Sequence, residues 1–234
     1  MTADELYQHA FRTEVASLKP DSLCDVGCGA GGLLAHVQPL GIKAAGIDPD
    51  TAKVAEARAA GLDVREGSAE SLPFPDRSFD MVTFENSLHH VHDIGRALTE
   101  AARVARRAVV IVDPWFDLSF PSQVTGDRFE RWLKRIDRMT GMVHRDPIPA
   151  GEIVGAFNGS ASRTIALRHL LQVTPLAPAT FDWLASRTFP HVGAEAFAAA
   201  YRAAKMDDEL AKIRAEVNRT GITEAGALLM TITP

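Results

Sequence analysis

Apolar positions along this chain switch between helical spacing and short continuous runs, and the switching predicts its elements in order. Tyr7, Phe11, Val15 and Leu18 recur at helical spacing behind Asp4 and Glu5, acids that favour a helix N-terminus, so residues 1–20 read as a leading amphipathic helix. Leu23 to Val26 is a short strand-like run, and after the glycines at Gly27, Gly29, Gly31 and Gly32 the helical spacing resumes at Leu33, Leu34 and Val37. Gly41 stops that helix. A second strand from Lys43 to Ile47 ends at Asp48, and Pro49 and Asp50 open an alanine-rich helix from Thr51 to Ala60 that Gly61 stops. Strands at Leu62 to Glu66, Met81 to Glu85 and Ala108 to Val112 follow. Between the last two lies a helix with an apolar face of Ile94, Leu98, Ala101 and Val104, N-capped by Asp93. Strands separated by such helices imply parallel pairing and right-handed crossovers, hence a doubly wound α/β sheet. Ligands gather at the C-terminal ends of strands in that architecture, where Asp25, Asp48, Ser68 and Asn86 fall.

Beyond Asp113 the pattern turns helical. Phe129, Trp132, Leu133 and Ile136 mark an apolar face, and Arg128, Arg131, Lys134, Arg135 and Arg138 the opposite one, read as solvated, with an acidic substrate as the alternative. Residues 163–173 predict a strand, Phe181 to Leu184 and Glu195 to Arg219 helices, and Ala227 to Ile232 a last strand. Trp115, Phe116 and Trp183 are assigned to packing.

The stretch Leu23 to Gly32 carries the chemistry. A strand, a glycine turn and a helix start bring bare backbone and free N–H groups close to a ligand. Gly27, Gly29 and Gly32 satisfy the dinucleotide spacing G-x-G-x-x-G, and Asp48 lies 21 residues after Gly27, near the ~20 expected of an acid that holds a ribose. That spacing alone would make the chain an NAD(P)-dependent oxidoreductase. Asp25 argues otherwise, because a carboxylate beside the glycines repels a pyrophosphate and attracts a cation. With Asp25-Val-Gly-Cys-Gly-Ala-Gly31, the loop resembles the first motif of the class I S-adenosylmethionine-dependent methyltransferases, whose ligand carries an ammonium and a sulfonium but no phosphate.

A second stretch strengthens the resemblance. Gly67-Ser-Ala-Glu-Ser-Leu-Pro-Phe-Pro-Asp-Arg-Ser-Phe-Asp80 is similar to the family pattern Gly-Asp-Ala-(Glu)-x-Leu-Pro-Phe-x-Asp-x-Ser-Phe-Asp, and a nicotinamide fingerprint has no use for it. The resemblance implies that Ser68, Ala69 and Glu70 line the adenine. Ser68 stands where the family has an acid, so the adenine contact is weaker or passes to Glu70. Glu85-Asn-Ser-Leu-His-His-Val-His-Asp93 then implies a border with the methionine part and the substrate, with Glu85 and Asn86 on the cofactor side. The family commonly has Leu-(Arg/Lys)-Pro-Gly-Gly before its fifth strand, and here Val104-Ala-Arg-Arg107 runs straight into Ala108. The resemblance also implies seven strands with a final antiparallel one, forming a single Rossmann-like domain over 1–234. Its cofactor core is 21–113, and helical lid insertions fall at 114–162 and 176–222.

Composition narrows the class. A chain of 234 residues with 46% hydrophobic content suits one catalytic domain. A net charge of −5 lacks the basic surface of a nucleic-acid binder, and no apolar run approaches the ~20 residues of a membrane span. With an acidic Met1 to Glu5, a cytoplasmic enzyme with a small-molecule substrate is expected, its oligomeric state left open. The alanine- and arginine-rich composition leaves a specialised metabolite open. Cys24 and Cys28, the two cysteines, are read as small residues of a crowded loop. The clustered histidines lack the separated ligands of a zinc site, so no metal is expected.

These readings combine into a methyltransferase using S-adenosylmethionine, acting on an oxygen, nitrogen or carbon nucleophile. Asp25 serves the methionine ammonium through water or backbone, and Gly27, Cys28, Gly29 and Gly31 form the cradle. Asp48 and Pro49 hold the ribose end, Asp50 being the better helix cap. His89 or His90 is the candidate general base. A cofactor-binding protein without chemistry is the remaining rival.

Overall fold

In the computed structural model, residues 3–157, 163–171, 173, 175–187 and 195–233 are described, with the side chains of Ala3, Asp4, Leu184 and Arg187 left aside. The expectations that fall on Met1, Thr2 and Asp4, and on 158–162 and 188–194 of the helical insertions, therefore lie outside the described residues. The chain divides into two compact units, residues 1–113, 148–170 and 228–234 forming one and 114–147 and 171–227 the other.

The first unit carries α1 (Ala3–Ser17), β1 (Ser22–Val26), α2 (Gly32–Val37), β2 (Lys43–Asp48), α3 (Thr51–Ala59), β3 (Val64–Glu66), β4 (Phe79–Glu85), α4 (Ile94–Val104) and β5 (Ala105–Trp115). After β5 the chain continues through α5 (Pro121–Met139), α6 (Ala150–Ala156), β6 (Thr164–Leu170), α7 (Pro178–Arg187), α8 (Glu195–Ala203), α9 (Met206–Thr220) and β7 (Gly226–Thr233). The strands form one seven-stranded sheet in the order β3-β2-β1-β4-β5-β7-β6, parallel from β3 through β5 and completed by the final antiparallel strand. The order reverses between β1 and β4, so the crevice at the ends of β2, β1 and β4 is the place this topology offers a ligand.

Burial follows the apolar pattern. Tyr7, Phe11 and Val15 are buried on α1, and Ile94, Ala97, Leu98, Ala101 and Val104 on α4. Asp50 caps α3 by accepting from the N–H groups of Ala52 and Lys53, and Asp93 caps α4 by accepting from Arg96.

The missing glycine turn before β5 has a physical substitute. Ala105 takes an extended conformation immediately after the helix, so β5 starts three residues before the predicted Ala108. Arginines hold the junction: Arg103 donates to the carbonyl of Phe74 and to Asp76 and Glu100, while Arg106 donates to Asp80 and the Ser22 hydroxyl. Charge-assisted bonds do here what turn chemistry does in the family pattern.

The second unit has its own core, in which Phe129, Trp132, Phe181, Met206, Leu210 and Ile213 are buried. The Trp132 indole donates to the Met206 carbonyl at 2.9 Å. The predicted helix over 195–219 is two helices, broken where Lys205 takes a left-handed φ of 52°. α6 belongs with the sheet unit and packs on α4, although the sequence placed it inside the first helical insertion. The basic face of α5 is largely neutralised: Arg128 pairs with Glu216, Arg135 with Glu209, Arg131 with Asp127 and Asp146, and Arg138 with Asp146. Lys134 corrects the sequence reading outright, being 0% exposed with Nζ 3.4 Å from Glu130 Oε1. Among the described residues no helix is long and apolar enough to cross a membrane.

Candidate functional site

The site begins at the turn after β1. Gly27, Gly29 and Gly31 have φ values of 71°, 53° and 85°, a left-handed path that L-residues resist. The turn is tied to β2, with Gly27 N–H donating to the Ile47 carbonyl at 2.7 Å and Gly29 N–H to Asp48 Oδ2 at 2.7 Å. Asp48 Oδ1 accepts from Asp50 N–H at 2.8 Å. The carboxylate thus shapes the glycine cradle, and each oxygen keeps a second lone pair for a hydroxyl. Pro49 is exposed beside it. The Cys28 side chain points into a cluster with Leu34, Val54 and Leu62, so its contribution to the cradle is backbone. A Cβ on Gly46 would lie 2.5 Å from Cys28 Sγ, which is why β2 carries a glycine there. Burial holds both thiols well above their ordinary range, and no disulfide joins them.

Asp25 stands beneath the turn, 2% exposed, with Thr83 across from it on β4 donating to Oδ1 at 2.7 Å. Burial pushes its carboxyl from an ordinary 3.8 up to about 8; Thr83 opposes the shift, while Glu85 and Asp48 add to it. Three carboxylates therefore crowd the ends of three adjacent strands. A folded-state value above the unfolded one means that this group's contribution to stability is fully present below about 3.8 and is lost as pH rises through about 8. Asp25→Asn mimics the protonated form. Its thermal midpoint is expected to fall less than the wild type's between ~pH 5 and ~pH 9, and equal slopes in melts of the two proteins would refute the assignment.

The segment from Ser68 to Glu70 is held to α4. Glu70 accepts from the N–H groups of His92 at 2.9 Å and Asp93 at 3.2 Å and from the Ser68 hydroxyl, and Arg96 donates to the Glu70 carbonyl. Burial raises the Glu70 carboxyl, but these bonds outweigh it and leave the group below the usual carboxylate range. An adenine amine would compete with these protein donors for Glu70. Ala69, between the two, is half-buried.

The end of β4 completes the crevice. Glu85 faces Arg12 of α1, and Asn86 takes a left-handed φ of 53° while its N–H donates to the Val112 carbonyl. The Ser87 hydroxyl donates to the Val26 carbonyl at 2.5 Å, locking β4 to the turn after β1. The two candidate histidines then part company. His90 is exposed, whereas His89 is buried with Nδ1 2.9 Å from Asp113 Oδ1. A carboxylate on Nδ1 assigns the proton there and leaves Nε2 as the basic atom. Asp113, 1% exposed, was taken in the sequence only as the point where the resemblance ends. Its signal was available: like Asp25 and Asp48, it is an acid closing or interrupting an apolar strand. Arg12, a polar residue among others on an amphipathic helix, had none.

Residues 24–112 match the family of a methyltransferase domain. Ajmaline N-methyltransferase of Rauvolfia serpentina is 33% identical over 130 residues, 50% of this chain and 45% of that protein. A ubiquinone biosynthesis O-methyltransferase of Azorhizobium caulinodans is 29% identical over 145 residues, 56% of this chain and 57% of its own length. The crystal structure of the YcgJ protein from Bacillus subtilis shares the fold with a TM-score of 0.66 at 20% identity, covering 97% of this chain and 98% of that one. Over residues 24–112 the chain is similar to the class I S-adenosylmethionine-dependent methyltransferases. It spans about half the length of the curated relatives it matches. S-adenosylmethionine is the methyl donor of this class, and the dinucleotide reading of the glycines gives way to it.

Proposed function

We propose that this chain transfers a methyl group from S-adenosylmethionine to an oxygen, nitrogen or carbon nucleophile of a small molecule. The observation that carries the reading is the placement of Asp25, Asp48 and Glu85 around a left-handed glycine turn on neighbouring strands. A pyrophosphate would meet repulsion there, and a cationic ligand relieves it. The relatives' names support a small-molecule acceptor, one being an ajmaline N-methyltransferase and another a ubiquinone biosynthesis O-methyltransferase.

Gly27 to Gly31 offer backbone to the donor, Asp48 offers lone pairs to its ribose, and Glu85 supplies negative field at its methionine end, where a cationic ligand would also favour the ionised form of Asp25. When bound, the donor supplies an electrophilic methyl on a sulfonium that leaves as a neutral thioether. Such a displacement asks the protein mainly for alignment and exclusion of water. Where the nucleophile carries a proton, His89 accepts it at Nε2 and Asp113 stabilises the imidazolium that results.

Calorimetry with S-adenosylhomocysteine, with NAD as control, tests the cofactor. The wild type is expected to bind the first and ignore the second, and Asp48→Ala to lose ~10-fold or more of the affinity through ribose and cradle together. Binding of NAD, or of neither ligand, would overturn the reading. Tight binding with no label passing from methyl-labelled donor to any phenol, amine or activated-carbon acceptor would favour a binding protein instead.

A further inference from the structure

Within the second unit, α5 buries side chains of two opposite kinds. Phe129, Trp132 and Ile136 serve the apolar core, whereas Gln123, Asp127, Glu130, Lys134 and Asp137 recur at spacings of four and three residues, a polar stripe along another side of the same helix. Gln123 and Lys134 are 0% exposed and Asp127 8%. Gln123 donates to the Glu224 carbonyl at 3.0 Å, Asp127 accepts from Arg131 at 2.8 Å, and Asp137 Oδ2 lies 2.6 Å from His144 Nδ1. Asp146 bridges Arg131 and Arg138, one turn to either side of Lys134. Lys134 is left out of this bonding: its buried Nζ has no hydrogen-bond partner, and the 3.4 Å contact with Glu130 Oε1 is ionic only.

A glutamate four residues before a lysine is an ordinary helix pair that contributes little. Burying an ammonium costs far more than such a contact returns, and apolar side chains in its place would be at least as stable. The arrangement fits a second anion instead. The Glu130 side chain is 28% exposed while that of Lys134 is fully covered, so Glu130 is the member that can turn out to solvent and let another carboxylate take its place. A monoanion restores the charge that Glu130 withdraws, and its oxygens can approach the ammonium at the ~2.7–2.9 Å of a charge-assisted bond, which the present contact misses. A dianion would add a further negative charge beside Asp127 and Asp137 on the same stripe.

We propose that Lys134 anchors a small organic carboxylate, a ligand other than the methyl donor, whose oxygens replace Glu130 at the buried ammonium. Glu130 is then the internal occupant of the site and not part of its receptor. The site goes beyond the methyl-transfer reading and does not rest on it, because it is built from the second unit alone.

The probes are acetate and benzoate, set against acetamide, benzamide and inorganic phosphate, and the readout is side-chain NMR of isotopically labelled lysine, with the Lys134 signal identified by its loss in Lys134→Met. The carboxylates are expected to move that signal saturably, and at ~3–10-fold lower concentration in Glu130→Gln, where the competing carboxylate is gone. The amides and phosphate are expected to leave it in place, and saturating S-adenosylhomocysteine to leave the carboxylate response unchanged. No response to either carboxylate in the wild type and in Glu130→Gln would overturn the proposal. An equal response to the amides or to phosphate, or weaker binding in Glu130→Gln than in the wild type, would do the same. Abolition of the response by S-adenosylhomocysteine would show that the ammonium serves the donor's own carboxylate, against a separate ligand. Should Lys134→Met fail to fold, the lysine signal that Glu130→Gln displaces identifies Lys134.

Discussion

His89→Gln is expected to lower kcat by ~10²–10⁴-fold for an acceptor that must lose a proton, while S-adenosylhomocysteine affinity stays within a few-fold. Glutamine keeps a donor for Asp113 but has no base to replace Nε2. His90→Gln is the internal comparison. His90 is exposed, with its ring 4.3 Å from that of His89, so its loss is expected within a few-fold. Asp113→Asn should fall on the side of His89, because an amide no longer stabilises the imidazolium or enforces the tautomer. Single-turnover rates and calorimetry on the three variants check this. If His90→Gln costs more than His89→Gln, the roles are reversed; if His89→Gln turns over normally, this acceptor needs no base from that position.

Gly27→Ala is the second large effect. A Cβ at Gly27 would lie 2.5 Å from Ser87 Cβ and 3.0 Å from Ser87 Oγ, and the backbone φ of 71° is strained for alanine besides. Ser87 cannot retreat without giving up its hydrogen bond to the Val26 carbonyl. Backbone strain and steric overlap together are expected to cost ~2–4 kcal/mol, read as a lowered urea midpoint, with S-adenosylhomocysteine binding lost or reduced by more than tenfold. Gly29→Ala isolates the backbone contribution, since its Cβ would meet nothing within 4 Å at a φ of 53°. It should cost only ~1–2 kcal/mol. Equal losses at the two positions would show that the contact with Ser87 does not matter.

Local information in the chain determined a good deal. The parallel α/β order, the glycine turn, the Asp50 and Asp93 caps and the acids at strand ends were all legible, because each depends on residues within a few positions of one another. The same locality explains the misplacements. Lys134 has the helical phase of a solvated face, and only packing buries it. Arg103 and Arg106 replace a glycine turn through partners 26 to 84 residues away in the chain, a substitution invisible to turn chemistry.

The site divides in the same way. Gly27, Gly29, Gly31, Asp25 and Asp48 could be named from spacing, but the choice between two adjacent histidines could not. That choice depends on Asp113 lying 24 residues on and arriving at the same end of the sheet, where His89 is buried against a carboxylate and His90 is exposed. Arg12 and Glu85 are 73 positions apart and meet through the packing of α1 beside the end of β4. Sequence spacing is a record of chemistry along one strand or turn, whereas burial, pairing and proton placement are set by what other strands bring alongside. Only the tertiary structure could therefore decide which histidine is oriented and which charges remain unsatisfied.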